Sequence, residues 1–170
     1  MIKISAIILT KNAENLIADC IDSVSFCDET ILIDDNSKDR TVEIARHLGA
    51  KVVSFTAESF AERRNFGLKK AKGKWVLYVD SDERVTKELK ESILAVVEKE
   101  KSEFVAYRLF RKNFYFGNHE WPYIEQLERL FKKTALKEWQ GEVHETAIVK
   151  GKVGVLNGFL LHYTHQDLKS

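Results

Sequence analysis

The sequence predicts an α/β protein: a largely parallel sheet with helices on both faces, completed by a mixed β region. Three observations predict it. Strand-like and helix-like segments alternate four times within about the first hundred residues. Such alternation calls for crossover connections, and hence for parallel pairing. Ile4 to Leu9 and Trp75 to Val79 are continuous apolar runs, as in strands covered on both faces. From Phe104 onward the alternation stops and aromatic residues become dense.

The elements follow in order. Ile4 to Leu9 reads as a strand. Asn12 to Val24 reads as a helix with Leu16, Ile17, Cys20, Ile21 and Val24 at helical spacing, capped by Asn12 or Asn15. Glu29 to Ile33 is a second strand, ending in Asp34-Asp35-Asn36-Ser37. Asp39 caps a helix over Thr41 to Leu48, and Gly49 stops it. Lys51 to Phe55 is a third strand, and Phe60 to Ala71 a helix that ends near Gly73. Trp75 to Val79 is a fourth strand, followed by Asp80-Ser81-Asp82. Thr86 caps a helix reaching Lys99, with Leu89, Ile93, Val96 and Val97 as its apolar face. Phe104 to Leu109, Gln126 to Phe131 and Phe159 to Tyr163 are strands of the mixed region. Phe114-Tyr115-Phe116 with Trp121 and Tyr123 offer a wall for sugar stacking, for lipid, or for plain packing.

Composition narrows the function classes. A chain of 170 residues fits one domain. Lys plus Arg is 27 and Asp plus Glu is 26, a net charge of +1. That balance leaves no broad footprint for nucleic acid. Cys20 and Cys27, the only cysteines, make neither a disulfide scaffold nor a thiolate zinc site. The opening apolar run is too short to span a bilayer and no cleavage site follows it, so no targeting segment is expected.

In open α/β sheets, ligands bind beyond the carboxyl ends of the strands. There the sequence places Thr10-Lys11-Asn12-Ala13-Glu14, then Asp34-Asp35-Asn36-Ser37-Lys38-Asp39, then Asp80-Ser81-Asp82-Glu83. Grouped carboxylates repel, so such a cluster calls for a cation, and oxygen ligands favour Mg2+ or Mn2+ over zinc. The competing reading makes each acid a cap or a turn former, which suits Asp39 better than the Asp80 and Asp82 pair. Gly-x-Gly-x-x-Gly after the first strand, a P-loop and a Gly-x-Ser-x-Gly elbow are all missing, which disfavours a dinucleotide fold, a P-loop nucleotidase and an elbow hydrolase.

The segments Ser5-Ala6-Ile7-Ile8-Leu9-Thr10-Lys11-Asn12, Ile33-Asp34-Asp35-Asn36-Ser37, Arg64-Asn65-Phe66-Gly67 with Ala71-Lys72-Gly73, and Val79-Asp80-Ser81-Asp82 occur in the order and spacing of one family. The chain resembles glycosyltransferase family 2, of the Rossmann-like GT-A fold. Arg129-Leu130-Phe131, Gly141-Glu142-Val143-His144-Glu145 and Leu161-His162-Tyr163 resemble a narrower branch, which assembles lipopolysaccharide cores and related surface glycans.

The resemblance implies a single GT-A domain over 1–170, with a nucleotide-sugar-binding half (1–100) and an acceptor-side half that completes the metal site (101–170). It implies an inverting transfer from a nucleotide-diphosphate sugar, a UDP-sugar first, to a glycan or lipid-linked glycan hydroxyl, with Mn2+ or Mg2+ as cofactor. Asp34 would contact the base or ribose, with Thr10 and Glu14 lining the same pocket. Asp82 would ligate the metal, Asp80 would hold the ribose or a metal-bound water, and His162 would complete the metal site. Arg64, with Lys11 behind it, would neutralise the diphosphate, and His144 is a further contact. Glu145 would be the general base, with Glu142 and Glu128 as alternatives. The expected location is cytoplasmic, including peripheral attachment to the inner face of the plasma membrane. Many relatives continue past the position of Ser170 into an amphipathic or hydrophobic tail. Two other readings stand beside this one: a nucleotide-sugar-binding module without catalysis, and a phosphohydrolase of the HAD class, whose nucleophile motif is also Asp-x-Asp after a strand.

Overall fold

In chain order the elements are β1 (Ile4–Thr10), α1 (Ile17–Ser23), β2 (Glu29–Asp34), α2 (Thr41–His47), β3 (Lys51–Ser54), α3 (Phe60–Lys70), β4 (Trp75–Asp80), β5 (Glu83–Val85), α4 (Lys87–Val97), β6 (Phe104–Tyr115), β7 (His119–Glu120), β8 (Glu125–Lys132), β9 (Leu136–Gln140), β10 (Thr146–Val149) and β11 (Lys152–Thr164). This computed structural model describes residues 1–164.

One sheet runs β3-β2-β1-β4-β8-β6-β11-β5, with β7 paired to β6. The first four strands are parallel. β8 is antiparallel to both β4 and β6. β11 then lies parallel to β6 and antiparallel to β5. β11 is therefore interior to the sheet. Because β8 reverses direction twice over, β6 and β11 end on the same edge as β1, β2 and β4. β9 and β10 form a separate two-stranded ribbon.

Period-two alternation sorts the buried strand residues to two faces. Ile4, Ala6, Ile8, Leu32, Leu77 and Val79 pack with α1, α2 and α4. Ile7, Leu9, Ile31, Ile33, Val76 and Tyr78 pack with α3 and with Leu136 and Trp139 of β9. α3 lies close to the sheet at Gly67, where a Cβ would come 2.6 Å from Ile7 Cγ2. Thr86 caps α4 as its sequence suggests, accepting the Leu89 N–H at 3.3 Å. α3 carries a capping box between Ser59 and Glu62.

Two expectations change. The first helix begins at Ile17 rather than Asn12. Asn12 takes φ 47° and its side chain accepts the Lys38 N–H at 2.7 Å, so it ties two loops together instead of capping a helix. The ribbon β9–β10 was not anticipated.

Candidate active site

The parallel strands β1, β2 and β4 deliver Thr10, Asp34-Asp35 and Asp80 to one edge of the sheet. The order β3-β2-β1-β4 reverses its sense at β1, the switch point where open α/β sheets bind ligands. Two clefts open there and share Phe60, Asp80 and Arg111 as walls. One, of about 490 Å³, is lined by Thr10, Lys11, Asp35, Arg63, Asp82 and His162. The other, of about 580 Å³, is lined by Arg64, Glu128, Arg129, Trp139, His144 and Glu145.

Arg64 stands at the centre. It is 2% exposed on α3. Its Nε and Nη2 donate to Glu145 Oε1 at 3.1 and 2.9 Å, and Nη2 also meets Asp80 Oδ1 at 3.3 Å. The guanidinium lies 5.0 Å from the Trp139 ring and 5.7 Å from the Tyr78 ring. Asn65 holds that arrangement. It donates to the Trp139 carbonyl at 2.9 Å and accepts the Trp139 N–H at 2.7 Å, so β9 is pinned against α3. Arg64 Nη1 is buried and has no partner.

The acidic cluster is compensated by arginines. Asp80 Oδ2 faces Arg129 at 3.5 Å. Glu83, wholly buried, binds Arg129 and Arg111, each at 2.9 Å. Burial works to raise the Asp80 pKa. Arg64, then Arg129 and Arg111, override it and hold the pKa at about 2. Burial likewise works against the charge of Arg129, while Glu83 and Asp80 more than restore it, so its pKa is raised. Much of the positive charge that these carboxylates call for comes from Arg64 of α3, Arg129 of β8 and Arg111 of β6, which leaves Asp82 as the carboxylate that faces His162. The sequence assigns no role to Glu83, Arg111 or Arg129, whose pairings join residues 28 and 46 positions apart.

Asp82 and His162 form a separate pair. Their Oδ2 and Nε2 are 3.1 Å apart. Asn113 Nδ2 donates to Glu125 Oε2 at 2.7 Å, which leaves Asn113 Oδ1 to accept from His162 Nδ1–H at 2.7 Å. A neutral His162 then turns the bare lone pair of Nε2 toward a carboxylate. Only a proton or a cation between them removes that repulsion. Ligands at about 2.1 Å on adjacent octahedral vertices sit about 3.0 Å apart, close to the observed spacing. The donor set therefore fits a divalent cation that completes its shell from phosphates and water. Among the described residues, no group of three or more His, Cys, Asp or Glu converges on one point.

The other predicted residues are placed as follows. Thr10 is buried in the smaller cleft, its Oγ1 unpartnered. Asp34 is committed to its own turn, accepting the Ser37 N–H at 3.1 Å and the Ser37 hydroxyl. Asp35 takes its place in the cleft, paired with Lys11 at 3.2 Å and Arg63 at 3.4 Å, with Oδ1 unpartnered. Glu14 lies outside both clefts and accepts the Arg40 N–H at 3.1 Å near the start of α2. Glu128 is paired with Arg108 at 3.2 Å. Glu142 is exposed and lines neither cleft.

The family model described as Glycosyl transferase family 2 matches residues 5–149. The chain belongs to glycosyltransferase family 2. An uncharacterized glycosyltransferase of Rickettsia typhi is 31% identical over 183 aligned residues, covering 99% of this chain and 63% of its own. The lipopolysaccharide core biosynthesis glycosyltransferase LpsC of Rhizobium meliloti is 27% identical over 172 residues, covering 94% of this chain and 63% of its own. This family-2 glycosyltransferase domain thus spans about three-fifths of the length of those relatives.

Solved structures agree on the GT-A fold. Residues 1–349 of Staphylococcus aureus TarS, crystallised with UDP-GlcNAc, superpose with a TM-score of 0.70 at 20% identity, covering 97% of this chain and 59% of that one. Glucosyl-3-phosphoglycerate synthase of Mycobacterium tuberculosis, solved with Mn2+, uridine diphosphate and its product, gives 0.50 at 26% identity, covering 68% and 45%. Among the described residues, no helix is long and apolar enough to cross a membrane.

Proposed function

We propose that this domain transfers a sugar, with inversion, from a UDP-sugar to a hydroxyl of a surface glycan or of a lipid-linked glycan. The observation that carries the proposal is the placement of Arg64 between Asp80 and Glu145, with Nη1 buried and unpartnered. A buried donor without a partner is costly, and a phosphate oxygen would satisfy it.

The smaller cleft suits the nucleotide. Asp35 Oδ1 and Arg63 Nε are buried and unpartnered on groups 3.4 Å apart, and Thr10 Oγ1 is a third orphan. Uracil presents an N–H donor between two carbonyl acceptors, the complement of a carboxylate and a guanidinium. Asp82 and His162 would hold Mn2+ or Mg2+, which supplies positive charge to the departing diphosphate. Glu145 uses Oε1 for Arg64, and among the described residues nothing bonds Oε2. That oxygen takes the proton of the acceptor hydroxyl as its oxygen bonds to the sugar carbon. The bond from that carbon to the diphosphate breaks on the opposite side, and Arg64 receives the charge released. Division of the domain follows: residues 1–100 bind the donor and 101–170 supply the acceptor side. We place the protein in the cytoplasm, where nucleotide sugars are made, with peripheral attachment to the inner membrane face included in the proposal.

The test is a thermal-shift panel of nucleoside diphosphates and nucleotide sugars, with and without Mn2+ or Mg2+, on wild type and Asp82→Ala. A ligand at about 100 times its dissociation constant adds about 2.7 kcal/mol of stability. A uridine-selective, metal-enhanced shift is expected, with the metal increment lost in Asp82→Ala. No shift with any nucleotide would sink the proposal.

A further inference from the structure

Of the described residues, three line both clefts: Phe60, Asp80 and Arg111. Two of them are charged. The third is an apolar ring, 45% exposed. Exposure alone means little for a single ring. This one stands where the two halves of the site join.

The ring is held in a fixed place. Phe60 is the first residue of α3, and the capping box of Ser59 and Glu62 sets the backbone on which it stands. Arg63, one helical turn on, lays its guanidinium 4.6 Å from the ring centroid. Arg63 is in turn paired with Asp35 of the smaller cleft at 3.4 Å. The ring thus rests one face on a cation that is itself anchored, and its exposure leaves the other face available.

In the transfer given above, one moiety must touch both clefts. The nucleotide occupies the smaller, the acceptor hydroxyl meets Glu145 in the larger, and the sugar passes between them. A pyranose has an apolar face of C–H groups and a rim of hydroxyls that both donate and accept. The three shared residues match it with one ring, one carboxylate and one guanidinium. Asp80 stays ionised and accepts. Arg111 gives Nε, Nη1 and Nη2 to Glu125 and Glu83, which leaves one hydrogen free on each terminal nitrogen.

We propose that Phe60 seats the sugar being transferred: the pyranose lays a C–H face on the ring while Asp80 and Arg111 bond its hydroxyls. This rests on the transferase reading given above. It makes Phe60 a determinant of donor choice, since a hexose that turns an axial hydroxyl onto the ring loses the stack.

Calorimetry separates the sugar from the nucleotide. UDP, UDP-glucose, UDP-galactose, UDP-N-acetylglucosamine and UDP-N-acetylgalactosamine are titrated, with Mn2+ present, into wild type, Phe60→Ala and Phe60→Tyr. UDP occupies the smaller cleft without the sugar, so its affinity should be the same for all three proteins. The UDP-sugar that wild type prefers should bind Phe60→Ala about tenfold more weakly (about 1.4 kcal/mol). Phe60→Tyr keeps the ring and should stay at the wild-type value.

Four results overturn the seat while binding of UDP by wild type leaves the transferase reading intact. Equal losses of UDP and UDP-sugar in Phe60→Ala would assign the ring to the nucleotide. Unchanged UDP-sugar binding in Phe60→Ala would leave the ring without a role. A Phe60→Tyr protein as weak as Phe60→Ala would exclude stacking, and failure of all four UDP-sugars to bind wild type would exclude a sugar at this junction. Absence of UDP binding by wild type removes the transferase reading, and the seat falls with it.

Discussion

Arg64 and Glu145, 81 positions apart in sequence, meet at 2.9 and 3.1 Å through two guanidinium nitrogens on one carboxylate oxygen. The contact orients Glu145, while Oε2 stays available. A general base is worth about 10²–10⁴-fold in rate. Glu145→Gln keeps the shape and removes the basicity. Release of UDP from the donor should slow by about that factor in Glu145→Gln, while the UDP thermal shift stays at the wild-type value. Equal turnover by variant and wild type would return the domain to a binding module without catalysis.

Asp80 makes acid stability sensitive to a single group. Its pKa is held at about 2 against an ordinary 3.8. A carboxylate with a depressed native pKa contributes stability that is full above its unfolded pKa and lost as pH falls through the native one. The contribution is therefore present above about pH 4 and fades toward about pH 2. Urea midpoints of Asp80→Asn should lie below wild type at neutral pH and converge with it in that window. Parallel curves from neutral pH down to pH 2 would show that Asp80 gains nothing from its arginines.

In the proposed metal site Asn113 orients a donor without being one. Its carbonyl oxygen accepts from His162 Nδ1–H in the tautomer that presents Nε2 to Asp82. Groups that orient a ligand in this way typically affect metal affinity by about 10–100-fold. Calorimetric titration of Mn2+ into the UDP-saturated protein should show a loss of that order in Asn113→Ala. UDP affinity without metal should not change.

Gly158 and Gly117 separate packing from backbone strain. Both have positive φ, 92° and 87°. A Cβ at Gly117 meets nothing within 4 Å, whereas at Gly158 it comes 2.3 Å from the Leu89 amide nitrogen. Gly117→Ala should cost only the left-handed conformation, about 1–2 kcal/mol. Gly158→Ala must also displace α4 from β11, so its loss in chemical denaturation should be clearly larger. Equal losses would refute the close approach.

The fold of the first hundred residues was legible because its signals are local. Ile4–Leu9 and Trp75–Val79 are apolar runs that only buried strands explain, and the acids that follow each strand sit at the sheet edge for reasons of topology. Asp34 and Asp35 show the limit of that reading. The two carboxylates are adjacent in sequence, and only the Ser37 turn decides that Asp35 reaches the cleft. The arginine compensation was not legible. Arg111 and Arg129 reach Glu83 from 28 and 46 positions away, and no local pattern encodes such pairings. The β9–β10 ribbon escaped for a related cause. Leu136–Gln140 is short and mixed in polarity, and its place is set by two hydrogen bonds with Asn65, one donated and one accepted.

β11, made after every other strand of this sheet, is inserted between β6 and β5. A ribosome that has released residues up to β10 has therefore produced a sheet still open at β6, with β5 lacking its partner. His162 arrives with β11, so the Asp82 pairing cannot exist before that strand is made. Synthesis of β11 and assembly of the pair are in this way coupled. The nascent protein presents an open strand edge, a hazard for misassembly, until β11 slots home.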